Sequence, residues 1–177
     1  MPCAYFDVET FDDYLRVLKV FTGITGREDL YQQNGADVQA RVEAAIARKE
    51  GHEAPTVLFL RAYSTGVRAK GSDNMTGEML KDLGCINIAD SEDSLLEDLS
   101  LEVILEQDPD FIFVTTMGAS EEAAMASLDE LLLPNPAWAS LTAVQEGHFH
   151  LLPKDLFHLK PNARWGESYE ILADCLY

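Results

Sequence analysis

The chain has 177 residues, 47% of them hydrophobic, enough to bury one sizeable core with an appendage and too apolar for disorder. Thirteen basic side chains stand against 31 acidic ones, a formal charge of −18 that repels phosphate backbones and argues against nucleic acid or an anionic membrane as partner. Three widely spaced cysteines without a CxxC pair indicate neither a disulfide framework nor a zinc knuckle, and read as small buried apolar residues.

The opening MPCAYFDVET carries no basic segment before a long apolar run, and no stretch approaches the roughly 20 apolar residues of a membrane span. Thr10 is placed to cap a helix, with Asp13 three residues on as a variant capping box. Phe11, Tyr14, Leu15, Leu18 and Phe21 form one apolar face, while Val17 and Val20 begin a second. A helix apolar on two sides expects neighbours on two sides. Gly23 and Gly26 interrupt the pattern, and Asn34-Gly35 predicts a turn before a second helix with Val38, Val42 and Ile46 at helical spacing. Glu50-Gly51 ends it.

From Thr56 onward short apolar runs alternate with helices. TVLFLR, CINIA, DFIFVTT and HFHLL read as strands, separated by helices near 75–83, 100–107 and 120–132, and a last helix over 163–176 carries Trp165, Tyr169, Leu172 and Leu176 on one face. This rhythm predicts a three-layer αβα, Rossmann-like unit with a mainly parallel sheet, preceded by a long helix. Such sheets bind ligands beyond the carboxyl ends of their strands, which directs attention to the loops at 62–74, 89–94, 117–120 and 153–160.

The first of these, RAYSTGVRAKGSDNM, gathers Arg61, Arg68 and Lys70 with Tyr63 ahead of a helix N-terminus. In so acidic a chain this suits an anionic or oxygen-rich ligand as well as simple charge balance, and it is neither GxGxxG nor a Walker loop. His148 and His150 lie two apart on a strand and face one side, with His158 in the next loop; a metal pair there lacks a third carboxylate or thiolate, so packing is the plainer reading. Met75 and Met79, one helical turn apart, suit a core or an axial haem ligand. Ser64, Ser72 and Ser120 sit in no nucleophile motif, and Asp108 and Asp110 around Pro109 read as turn formers. In the helix before them Leu101, Ile104 and Leu105 share one side, leaving Glu102 and Glu106 outward.

Several segments, in this order, carry a family resemblance: ETFDDYLRVLKVFTGITGREDLY, MLKDLGCINIAD, LSLEVILEQDPDFIFVTT, NPAWASLTAVQEGHFHLLP and PNARWGESYEILADCLY. Most specific are the element Ser100, Glu102, Asp108, Pro109, Asp110 and the run from Asn135 to Trp138 with Leu141, Ala143, Val144 and Gly147. Together they resemble the C-terminal lobe of an iron-siderophore, haem or cobalamin substrate-binding protein of an ABC importer. The resemblance implies two α/β lobes joined by a rigid helix, ligand held between them, and an exposed glutamate on each lobe docking into arginine pockets of the permease subunits. Glu102 matches the second-lobe glutamate. Arg61, Tyr63, Arg68, Asn74, Phe157 and His158 are the residues expected to line one wall for a small-molecule metal chelate.

On this resemblance residues 1–54 are a linker helix and connecting helix, and 55–177 the C-terminal lobe. The chain begins where the joining helix should begin, so the N-terminal lobe, signal peptide and lipid-anchor cysteine of a periplasmic or lipoprotein homologue have no counterpart here, and Cys3 is not read as the anchor. A truncated lobe with an uncovered helix face is expected to bind weakly alone and to form a homo-oligomer through that face. No resident cofactor, catalytic group or metal site is expected. The alternative is a stand-alone α/β enzyme or regulator holding a phosphorylated small molecule at the 61–74 loop.

Overall fold

The computed structural model describes residues 3, 5–118, 120–132 and 134–177; Ala119 of the predicted 117–120 loop and the first, second and fourth residues of the opening segment lie outside the described residues. In chain order the elements are α1 (Phe11–Thr25), α2 (Glu28–Tyr31), a π-helical turn (Gln32–Ala36), α3 (Asp37–Ala47), β1 (Thr56–Tyr63), β2 (Gly66–Ala69), α4 (Met75–Asp82), β3 (Ile86–Asn87), α5 (Asp93–Asp98), α6 (Leu101–Gln107), β4 (Phe111–Thr116), α7 (Glu121–Leu132), α8 (Thr142–Gln145), β5 (Phe149–Leu151), α9 (Lys154–Phe157) and α10 (Trp165–Leu176).

β1 and β4 form the centre of the sheet, parallel and in register from Val57 opposite Phe111 to Ala62 opposite Thr116. β5 extends the sheet beyond β4. On its other edge β1 meets two partners in succession: β3, parallel, at Thr56 and Val57, then β2, antiparallel, from Leu60 to Tyr63. The chain therefore leaves β1 toward one side and returns on the other. The carboxyl ends of β1 and β4 flank the point where strand order reverses, the place where open α/β sheets hold ligands.

Alternation along the strands divides the core in two. Val57, Phe59, Phe111 and Phe113 face a layer containing residues of α1, α3, α4 and α10, while Leu58, Leu60, Ala62, Ile112 and Val114 face residues of α5, α6 and α7. Both central strands are apolar on both faces, as a sheet covered by helices on two sides requires. The expected αβα layering and mainly parallel sheet are the observed architecture. Phe11, Val38, Val42 and Ala45, from the stretch expected to be a linker, share one core with the sheet.

The Thr10 box is present: its side chain accepts from the Asp13 backbone while the Asp13 carboxylate accepts from the Thr10 N–H. The two-faced character of α1 is also present, with one reassignment. Phe11, Tyr14 and Leu15 pack inward, whereas Phe21 lies with Val20 and Ile24 on the outer side, 50%, 40% and 78% exposed. The Phe6 ring meets Phe21 edge-on at 5.3 Å.

Three local expectations are corrected. Asn34-Gly35 is not a turn: helix continues through it as a π-helical turn, because the Asn34 carbonyl accepts from Tyr14 Oη at 2.7 Å and Gly35 lets Leu18 and Tyr31 approach. The 61–74 segment is not one loop; its middle is β2, closing a two-residue hairpin on β1. Cys3 is exposed and Cys175 half-buried, leaving Cys85 as the buried cysteine; burial pushes its thiol up to about 12.

Glycine is required at 77. A Cβ there would collide with the Gly71 carbonyl and come within 2.8 Å of Ser72 Cα, since the 71–74 loop lies directly on the first turn of α4. Gly77→Ala is expected to lower unfolding free energy by about 1–3 kcal/mol, the usual cost of overpacking, measured by urea denaturation, with the 71–74 backbone resonances displaced most.

Candidate functional site

The site is assembled at the carboxyl ends of β1 and β4. Arg61 and Thr115 are register partners there, two residues beyond Phe59 and Phe113 and so on the same sheet face. The Arg61 guanidinium carbon lies 6.0 Å from the Phe59 ring centroid. Thr115 is fully buried, and its hydroxyl has no hydrogen-bond partner; the same holds for the buried Nε of Arg61. Across the hairpin Arg68 stands opposite Arg61, two like charges in direct cross-strand register, which is unfavourable unless an anion sits between or above them.

Charge pairing elsewhere makes these two arginines distinctive. Arg16, Arg27, Arg41, Arg48 and Arg164 each hold a carboxylate at 2.5–2.7 Å. Among the described residues Arg61 and Arg68 hold none, in a chain with 31 acidic side chains to choose from.

The far wall comes from α9. Lys154 Nζ donates to the Gly118 carbonyl and so ties the start of α9 to the turn after β4. His158 follows the last residue of α9, and its imidazole pKa is depressed by partial burial first, then by the Arg61 and Lys154 charges. A histidine held neutral presents a lone pair to a metal. Tyr63 and Arg68 line a groove of about 510 Å³ that runs between the hairpin and α5 with its C-terminal end, where Leu95, Leu96, Glu97, Asp98 and Leu99 form the other side.

The predicted residues are thus partly brought together. The Arg61 charge helps to lower the His158 pKa, after burial, and Tyr63 and Arg68 share one groove. Asn74 caps α4, its Oδ1 accepting from the Gly77 N–H at 3.2 Å while its Nδ2 donates to the Gly71 carbonyl at 2.8 Å. Phe157 lies in the core at 1% exposure, its carbonyl receiving the Thr76 hydroxyl at 2.7 Å. These two hold the loop and the wall in place from behind. The 70–74 backbone is pinned further: Asn87 donates to the Lys70 carbonyl, and both the Ser72 N–H and hydroxyl donate to Asp90.

Thr115 and Lys154 carry no sequence motif; only strand register and the α9 turn bring them to the site. The other singled-out groups have structural partners. His148 stacks on Phe111 at 4.4 Å between ring centroids and His150 on Phe113 at 5.5 Å. No group of three potential metal-ligating side chains exists among the described residues. Met75 and Met79 are buried in the core. Asp108 accepts from the Thr142 N–H and hydroxyl, and Asp110 from those of Thr56, so the Asp-Pro-Asp turn is a double clamp. Glu102 is exposed in the first turn of α6, where Ser100 is the N-cap, and it has no hydrogen-bond or ion-pair partner among the described residues. No described helix is long and apolar enough to cross a membrane.

Because the folded state resists protonating His158, lowering the pH below its ordinary 6.5 favours the unfolded chain, and this group's contribution to stability is complete only above that value. In an NMR titration His158 is expected to titrate below 6.5, and Arg61→Gln to move its midpoint upward without restoring it fully, since burial is the larger cause. An unchanged midpoint in that variant would separate the two side chains.

Comparison with known proteins places this fold. The chain is similar in structure to S. aureus IsdE, solved in complex with haem, with a TM-score of 0.81 at 17% identity over 100% of this chain and 69% of that one. RhuT, a periplasmic haem-binding protein from Roseiflexus sp. RS-1, matches at a TM-score of 0.74 and 22% identity, over 95% of this chain and 63% of its own. FeuA, the iron-uptake system-binding protein of Bacillus subtilis, matches at 0.67 and 22%, over 94% and 60%. At these identities the likeness establishes the fold. A search of curated proteins returned no match. The sequence profile of the periplasmic binding protein family matches residues 3–156, and the chain belongs to that family.

Proposed function

We propose that the chain is the C-terminal lobe of a substrate-binding protein of an ABC importer and captures an iron chelate or haem by non-covalent contact, without chemical turnover. The observation that carries this reading is the pair of arginines without carboxylates at the switch point of the sheet. In a protein of charge −18 such a pair, with neither guanidinium in an ion pair among the described residues, suits an anion, although Glu97 and Asp98 line the same groove as Arg68. The His158 imidazole, held toward its neutral form by burial first and then by the Arg61 charge, adds a donor suited to ferric iron, and Tyr63 extends the wall along the hairpin. The solved structures that share the fold include proteins described as haem-bound and as part of iron uptake, which supports a chelate as cargo. Cobalamin is the third member of the same cargo class.

Glu102 is read as the permease-docking carboxylate. It is exposed, unpaired and held in the first turn of α6, so it can meet a guanidinium in a bidentate pair. The outer stripe of α1, with Val20, Phe21 and Ile24, is read as the seat of the companion lobe, and closure of the two lobes would present both docking carboxylates at a fixed separation. The working location on this reading is the outer side of the cytoplasmic membrane.

Absorbance titration with haemin, a panel of ferric siderophores and cobalamin tests the capture role. Saturable binding of at least one, weakened about tenfold or more by Arg68→Glu for an anionic chelate, is expected; failure of every chelate to bind in the two-lobed protein carrying this sequence would reject it. In an uptake assay Glu102→Arg is expected to abolish transport while leaving chelate affinity within about twofold, because an exposed carboxylate with no hydrogen-bond or ion-pair partner among the described residues contributes little to ligand binding.

A further inference from the structure

The charges of this chain are sorted along its length. Residues 82–153 hold 15 of the 31 acidic side chains and no lysine or arginine, so all 13 basic side chains lie before or after them. That stretch builds α5, α6, α7 and α8. Five arginines elsewhere hold carboxylates at 2.5–2.7 Å, whereas the ion pair that residues 82–153 contribute among the described residues is Glu146 with His148 at 3.7 Å. Glu97, Asp98, Glu102 and Glu130 are exposed and have no hydrogen-bond or ion-pair partner among the described residues. Like charge left unneutralised over one layer favours a partner of the opposite sign.

The same layer holds an apolar groove of about 400 Å³. Val67, Ile104 and Leu132, all buried, line it together with Leu99, Leu101 and Leu131, the last 50% exposed. Asp98 is the charged residue in that lining, and no cation lines it; Leu101 immediately precedes Glu102. Leu99 stands at φ 49° and ψ 57°, a left-handed backbone that leucine seldom adopts, and it lines both this groove and the one shared by Tyr63 and Arg68. Strain retained at a half-buried leucine between two grooves marks a position where the placing of that side chain matters.

We propose that this groove receives an apolar side chain carried on a basic segment of the permease, so that burial beside Leu99 and Leu131 acts together with the ion pair at Glu102. This rests on the docking role read for Glu102 and states what else the permease surface carries there. An ion pair between exposed side chains is weak and screened by salt, and cannot alone hold a complex in one orientation. An apolar anchor seated in a groove supplies the non-electrostatic part, while the surrounding carboxylates steer a cationic partner toward it and repel an anionic one. Charge complementarity chooses the occupant: a second copy of this chain would bring the same unpaired carboxylates against this layer, whereas a segment with lysine or arginine flanking a leucine or phenylalanine matches both rim and groove.

The first experiment uses the 177-residue chain and a synthetic helical peptide with leucines at every third or fourth position and arginines between them. In methyl spectra this peptide is expected to move Leu99, Ile104 and Leu131 saturably, and a peptide of equal charge with glutamine in place of leucine to bind about tenfold or more weakly. Leu131→Gln, at a half-exposed position, and Leu99→Asn, which suits left-handed backbone without an apolar side chain, should each weaken the leucine peptide about fivefold or more. Equal binding of the two peptides would reduce the layer to a diffuse field and overturn the proposal. So would shifts centred on Val20, Phe21 and Ile24 of α1, or groove methyls that move with protein concentration alone, the sign of a second copy as occupant. The second experiment is uptake through the importer by the two-lobed protein: Leu131→Gln is expected to lower transport about fivefold or more with chelate affinity unchanged. If Glu102→Arg abolishes uptake and Leu131→Gln leaves it intact, the docking carboxylate stands and the groove falls; uptake indifferent to both would reject the docking reading and the groove with it.

Discussion

The parallel ladder between β1 and β4 is the constraint on which the rest depends. Six consecutive residue pairs, from Val57 with Phe111 to Ala62 with Thr116, align two strands that are apolar on both faces. Such strands exist only when helices cover them above and below, so the ladder dictates the layers. It also dictates where cover stops. Beyond Phe59 and Phe113 the side chains on one face become Arg61 and Thr115, and the chain departs in opposite directions on the two sides. Polar groups accumulate at that end, with Thr115 and Thr116 still buried.

Much of this was legible in the amino-acid sequence. Four of the five strands stood out as apolar runs, and the helices at 75–82, 101–107, 121–132 and 165–176 lie within a residue or two of their expected bounds. What escaped notice did so for physical reasons. β2 is four residues long, carries Arg68 and Gly66, and exists because β1 offers an unpaired edge beyond β3; nothing local distinguishes it from a loop. The helix through Asn34-Gly35 violates the turn preference of that pair, and tertiary contacts from Tyr14 and Leu18 override it. α5 is six residues within an acidic stretch, and its signal is a single buried leucine, Leu95.

The site divides along the same line. Arg61 and Arg68 were visible as a basic cluster against an acidic background, and His158 as a polar residue in a loop following a strand. Thr115 could be found only through register, and Lys154 only through the turn that brings α9 back over Gly118. Asn74 and Phe157 have residue types common in binding walls, yet their side chains are committed to a helix cap and to the core. Composition shows which groups are uncommon; only the fold shows which of them remain unengaged.

The double clamp at Asp108 and Asp110 has a mechanical consequence. One carboxylate grips the first residue of β1 and the other the first residue of α8, on either side of a proline that stiffens the link between them. The helix ending at this junction is therefore bolted at its trailing end to two separate layers and cannot swivel about its own axis. Glu102, at the leading end, inherits a fixed compass bearing, and in the docking role proposed for it a receptor would sense the orientation of the entire sheet instead of the posture of one side chain.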